Sequence, residues 1–134
     1  STLQIINQII KLNKNLYLPR VKEDSMDFYL IDKNKDLFEQ LEKNQWDIYE
    51  PKTNLKKVNF NTDKNLKKVL ILVPGLAFTK TGKRLGRGKG FYDKFFTTIP
   101  QNIHTIKVGL CYNIQILSDL PTEKHDILMD YVIL

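Results

Sequence analysis

The sequence has little of what staples small secreted proteins or anchors membrane proteins. One cysteine, Cys111, stands among 134 residues. No disulfide can close within the chain, and a reducing compartment, the cytoplasm, is expected. The longest mostly apolar run, Val69 to Phe78, is about half the roughly 20 residues a membrane helix needs, so no span is expected. No charged, apolar and small-residue tripartite opens the chain to mark a secretory signal. The first residue is Ser1 and not an initiator Met, which raises the expectation of a missing upstream part; a targeting segment there would redirect the protein to mitochondria. The two histidines, His104 and His125, lack metal-ligand spacing. Internal repeats are absent. What remains, 42% hydrophobic and 27% charged residues, is the composition of one globular domain spanning 1–134.

The net charge of +6 is unevenly spread. Residues 1–51 and 95–134 are each slightly acidic, whereas 52–94 carry twelve Lys and Arg against only Asp63 and Asp93. Such a concentration asks for an anionic partner. Lys52, Lys56, Lys57, Lys64, Lys67 and Lys68 read as a solvated loop. Aromatics do not interleave with these lysines apart from Phe60, so a nucleic-acid stacking platform is not expected.

Apolar periodicity predicts a helix over 2–13, a short strand at Leu16–Pro19 ending at the proline, and a strand from Met26 to Ile31. A short helix with Leu37, Phe38 and Leu41 follows, with Asp36 as its N-cap. Residues 44–68 read as a long polar loop. Val69–Val73 is an unbroken β-branched and aliphatic run, as for a central strand of a parallel sheet covered on both faces. A helix over 91–98 and strands at 106–110 and 130–134 complete the pattern. This order implies an α/β fold, layered α/β/α with a mainly parallel central sheet and Rossmann-like.

The chemistry concentrates in Val73-Pro-Gly-Leu-Ala-Phe-Thr-Lys-Thr-Gly-Lys-Arg-Leu-Gly-Arg-Gly-Lys-Gly-Phe-Tyr-Asp93. Gly86, Gly88 and Gly90 let backbone N–H groups approach an anion, the following helix N-terminus adds its own, and Arg84, Arg87 and Lys89 supply full charges. Phosphate is the guest this composition suits. The spacing is neither a P-loop, because Phe91 follows Gly88-Lys89-Gly90, nor a dinucleotide fingerprint, because about ten residues separate Val73 from Arg84. Asp93 either caps the helix or helps hold magnesium beside phosphate oxygens. Tyr92 either binds nucleotide or fills the core.

Arg84-Leu-Gly-Arg-Gly-Lys-Gly-Phe-Tyr-Asp93, preceded by Val73-Pro-Gly-Leu-Ala-Phe78, resembles the signature of 5-formyltetrahydrofolate cyclo-ligase, also called 5,10-methenyltetrahydrofolate synthetase. Tyr17-Leu-Pro-Arg20, Met26-Asp-Phe28, Trp46-Asp-Ile-Tyr-Glu-Pro51, Gln115, Leu120-Pro121 and His125-Asp126 extend the resemblance in order along the chain. The resemblance implies an ATP-dependent ring closure in a monomer: the formyl oxygen of 5-formyltetrahydrofolate is phosphorylated, N10 attacks, and phosphate leaves. It implies that Arg84, Leu85, Gly86, Arg87, Gly88, Lys89, Gly90, Phe91 and Tyr92 line ATP, that Arg87, Gly88, Lys89, Gly90 and Phe91 also face the folate, and that Asp93 and Asp126 bind Mg²⁺. Arg87 and Lys89 become the candidate catalytic cations, stabilising charge on the transferred phosphoryl group.

Two departures accompany the resemblance. The family's N-terminal helix with a Lys and an Arg for ATP, and a following Glu for the folate, have no match here, so the chain reads as an N-terminally shortened family domain with a ragged sheet edge. A nucleotide- or folate-binding remnant without turnover is the alternative this raises. Thr79 stands where an acid is common, and Phe91 where Tyr is frequent. Trp46 beside Ile48 reads as core, yet pterin rings bind against aromatics, which makes it a candidate for the folate site. Cys111, at the end of a strand, is explained by packing.

Overall fold

The structure, a computed structural model, describes residues 2–121 and 126–133. These form two compact units, 1–59 and 60–134.

The first unit opens with helix α1 (Thr2–Lys11). Asn13 ends it in the left-handed region at φ 58°. The N–H of Lys14 bonds the carbonyl of Ile9, and that of Asn13 bonds Ile10, which satisfies carbonyls the helix would leave open. Strands β1 (Tyr17–Lys22) and β2 (Ser25–Leu30) pair antiparallel. Pro19 lies inside β1, opposite Phe28, instead of ending it. A two-stranded ribbon has outer edges where a missing N–H costs no ladder bond.

Residues 38–40 form a single 3₁₀ turn, and Leu41 passes into strand β3 (Leu41–Lys43). The N-cap position is Leu37 and not Asp36, because the turn starts one residue later than expected; Asp36 still accepts from the Glu39 N–H. The segment beyond 43 is less of a loop than its polarity predicts: β4 (Tyr49–Pro51) pairs with β3 in a hairpin. Asn44 fastens its tip by accepting from the N–H groups of Trp46 and Ile48, and Asp47 takes φ 62°. Arg20 clamps the hairpin to β1 by donating to Glu42 and to the Pro51 carbonyl. Buried Gln40 donates to the carbonyls of Asp32 and Asp36 and accepts from the Asp32 N–H. These polar ties hold a unit with few fully buried apolar residues.

The second unit contains the parallel sheet. Strand β5 (Lys68–Val73) forms where the apolar run predicts it. A tight turn leads to β6 (Ala77–Thr79), which pairs antiparallel with β7 (Arg84–Leu85). Helix α2 (Phe91–Thr97) follows the glycines, then β8 (His104–Leu110), β9 (Ile116–Leu117) and β10 (Tyr131–Ile133). Strands β5 and β10 both pair parallel with β8, giving the order β10-β8-β5. Among the described residues β8 therefore takes the centre and β5 an edge, the reverse of what the unbroken run in β5 suggests. Exposure alternates along β5: Ile71 and Val73 are buried, whereas Leu70 is 58% exposed. A second sheet, β7-β6-β9, stands beside it.

The core lies between the sheet and α2. Ile71, Val73, Phe78, Cys111 and Met129 form its buried centre, with Phe95, Phe96 and Val132 packed around them. Phe78 is fully buried, and a side chain at Gly109 would sit 2.4 Å from its ring, so β8 can pass over Phe78 only with glycine there. Cys111 is buried in this cluster and donates to the Ile133 carbonyl, and burial pushes its thiol up, as a packing role requires.

Candidate functional site

The ten residues between β5 and Arg84 are a hairpin and not an irregular loop. The N–H of Leu76 bonds the carbonyl of Leu85, and Ala77 and Phe78 pair with Leu85 and Arg84. The hairpin returns the chain to the exit of β5, so Arg84 lies against the turn it left ten residues earlier. The reversal is built around Thr79, which is buried. Its hydroxyl accepts from the Lys83 N–H and shares a hydrogen bond with Thr81, and its carbonyl accepts from the Gly82 N–H. A threonine at this position thus has a turn to close. Lys83 also pairs with the exposed Asp119 at 2.7 Å, and the bonds from Lys83 and the Leu120 backbone hold the Asp119 carboxyl below its ordinary range.

Arg84 is drawn inward. Its side chain is only 8% exposed, with one guanidinium nitrogen on the Pro74 carbonyl at 3.1 Å and another on Asp93 Oδ2 at 3.2 Å. The guanidinium also lies 5.9 Å from the Tyr92 ring centre. Tyr92 itself packs against the core, where burial pushes its phenol above the usual value and the Arg84 charge pulls it partly back. Tyr92 is thus packed against the core with its ring beside the Arg84 guanidinium. Asp93, in the first turn of α2, holds Arg84 and is 29% exposed.

Beyond Leu85 the loop changes character. Arg87, Gly88 and Lys89 are exposed, and among the described residues neither cation has an ion-pair partner. Gly88 and Gly90 take φ 93° and 69°, and a side chain at either would meet open space. These two glycines are required by backbone conformation and not by crowding, since a left-handed L-residue costs roughly 1–2 kcal/mol. The space beside them is where a guest can approach. Gly86 differs: a side chain there would press on the Arg84 guanidinium at 3.0 Å. Helix α2 has seven residues and starts from left-handed Gly90, so its dipole adds little, and the positive field comes from Arg87, Lys89 and the loop amides. Phe91 is half-buried at the helix start.

The remaining candidates belong to other segments of the chain. Asp126 is half-buried on the segment leading to β10, and His125 lies outside the described residues. Trp46, expected as core, is 71% exposed at the β3–β4 hairpin tip in the first unit. The tight Asn44 turn sets that side chain at the tip, where it is exposed. Among the described residues no group of three or more His, Cys, Asp or Glu could hold a metal alone. Asp93, held by Arg84 through one oxygen and part exposed, has the chemistry of a carboxylate that magnesium takes beside phosphate oxygens and water. Sequence reasoning missed Gln115 as part of this construction. The signal was its place in the resemblance, with no local pattern to say what it touches.

A model of the 5-formyltetrahydrofolate cyclo-ligase family matches residues 1–134. The chain is 36% identical over 127 residues to 5-formyltetrahydrofolate cyclo-ligase of Haemophilus influenzae, covering 95% of this chain and 65% of that protein. It is 33% identical over 135 residues to the probable 5-formyltetrahydrofolate cyclo-ligase of Caenorhabditis elegans, covering 96% and 64%. The solution structure of Aquifex aeolicus 5,10-methenyltetrahydrofolate synthetase superposes with a TM-score of 0.71 at 29% identity, covering 97% of this chain and 59% of that one. The chain belongs to the 5-formyltetrahydrofolate cyclo-ligase family, and it spans just under two thirds of the length of these relatives.

Proposed function

We propose that, as a member of this family, the chain carries the phosphate-binding part of an enzyme that uses ATP to close 5-formyltetrahydrofolate into 5,10-methenyltetrahydrofolate. The observation that carries the reading is the exposed Arg87 and Lys89 alternating with left-handed Gly88 and Gly90, open to a guest. In the reaction the formyl oxygen attacks the γ-phosphorus and ADP departs. The folate N10 then adds to the activated carbon and loses its proton, and the C–O bond breaks to release inorganic phosphate. Phosphorylation makes the oxygen a good leaving group, so no strong general base is needed.

Arg87 and Lys89 meet the charge that builds on the transferred phosphoryl oxygens, and the amides of 86–90 point donors at the same group. Leu85, Phe91 and Tyr92 flank the nucleotide, and Gly88, Gly90 and Phe91 face the folate. Asp93 and Asp126 would hold the magnesium ion that accompanies ATP, which supplies positive charge beside the phosphates when bound. Arg84 contributes chiefly through its grip on Pro74 and Asp93, with its remaining N–H groups directed at the anion. The enzyme acts as a cytoplasmic monomer.

The test is the long-wavelength absorbance of methenyltetrahydrofolate when 5-formyltetrahydrofolate and Mg-ATP are mixed with a version of the protein extended to the relatives' length. ATP-dependent product is the expected outcome, and its absence from a folded protein would refute turnover. Binding of ATP without product would instead identify a non-catalytic nucleotide-binding member.

A further inference from the structure

Gln115 stands 40 residues from the turn that leaves β5, yet its side chain is bound to it. Its Nε2 donates to the Gly75 carbonyl at 3.0 Å and to the Leu76 carbonyl at 3.2 Å. Its Oε1 accepts from the Tyr112 N–H at 2.7 Å, closing a 3₁₀ turn over 113–115. Two carbonyls on one side and an N–H on the other fix which end of the amide is nitrogen.

The turn so gripped touches the functional loop twice. The Pro74 carbonyl receives Arg84, and the Leu76 N–H reaches the Leu85 carbonyl. Gly75 is pressed from both sides, since a side chain there would lie 2.8 Å from the Phe78 ring and 3.1 Å from Arg84 Cγ. Residues 74–76 are thus held by Gln115 on one side and packed against Phe78 and Arg84 on the other, with Leu85 tied to Leu76, Arg84 to Pro74, and Asp93 to Arg84.

We propose that Gln115 is a positioning residue for the glycine-rich loop: it fixes the 74–76 turn, the turn fixes Arg84 and Leu85, and these set where Gly86–Gly90 present their donors. The proposal rests on the phosphate-binding reading of that loop. It assigns to a polar side chain outside the loop a share of the nucleotide affinity, exerted without contact with the nucleotide. A glutamate would keep the bond from Tyr112 but aim a carboxylate at two carbonyls, so Gln115→Glu should harm the loop more than Gln115→Ala.

Two measurements on this chain test it. Amide hydrogen exchange needs no ligand: in Gln115→Ala the Leu76 N–H should exchange at least tenfold faster while that of Ile71 in β5 is unchanged. Equal acceleration at both sites, or at neither, would overturn the proposal. In calorimetric titration with Mg-ATP, Gln115→Ala should raise Kd about tenfold, and Gln115→Glu further, with the number of sites per chain unchanged. A merely structural role would lower the number of sites and leave Kd nearly as it was, which would overturn the proposal, as would a Gln115→Glu affinity equal to wild type. If wild type binds no Mg-ATP, the phosphate reading fails, and the exchange experiment still decides whether Gln115 holds the turn. Gln40→Ala, which cuts a comparable buried amide in the first unit, is the control: Kd for Mg-ATP should be unaltered.

Discussion

Arg84 and Arg87 are three positions apart in one glycine-rich segment, and the molecule treats them in opposite ways. Arg84 is buried against Pro74, Asp93 and the Tyr92 ring. Arg87 stands in solvent between glycines, with no ion-pair partner among the described residues. The hairpin half of the segment, 74–85, is cross-linked by backbone and side-chain bonds, whereas the half from 86 to 90 is open. A site for a highly charged ligand needs both: a floor that does not move, and cations not already neutralised. Preorganised charge stabilises a transition state because its cost was met during folding.

Disrupting the floor should have the largest effect. Phe78 is fully buried under Gly75 and Gly109, and Phe78→Ala should cost about 3–5 kcal/mol of stability, read from denaturant unfolding. Arg87→Ala should do the opposite. It should lower turnover of the extended enzyme about a hundredfold or more, roughly 3 kcal/mol of transition-state stabilisation, with stability changed by less than about 0.5 kcal/mol. A collapse in stability would place Arg87 on the floor with Arg84.

Asp93→Ala falls between these two. The Arg84 guanidinium would stay buried without its anionic partner, but Asp93 is partly solvated, so a loss of about 2 kcal/mol is expected, between exposed and buried pairs. Tyr92→Phe should give the smallest effect and only at high pH. The folded state holds the phenol neutral above its ordinary value, so the contribution is intact below about pH 10 and is lost as pH rises, because the unfolded chain ionises first. Thermal melts of wild type should decline along this alkaline limb more than those of Tyr92→Phe.

Helix α1, strands β2, β5, β8 and β10, and the family were legible because each is written locally, in periodicity, in apolar runs, or in a ten-residue motif. The hairpin β6–β7 was not, since strands of three and two residues carry no measurable period. The difference between Arg84 and Arg87 was hidden for the same reason: in sequence they are equivalent cations, and only the return of the chain to Pro74 separates them. Trp46 was misread because an aromatic beside Ile48 looks like core until the Asn44 turn puts it at a hairpin tip. The edge position of β5 was concealed by its unbroken apolar run. Gln115 was visible as a residue and silent as a contact, because its partners lie 40 positions away.

The division of the segment is tested most directly by amide spectra of the chain titrated with Mg-ATP. The largest shifts should fall on Gly86 through Gly90, with Ala77 to Thr79 of the hairpin nearly still. Shifts confined to the lysines of 52–68, or spread evenly over the chain, would contradict the account.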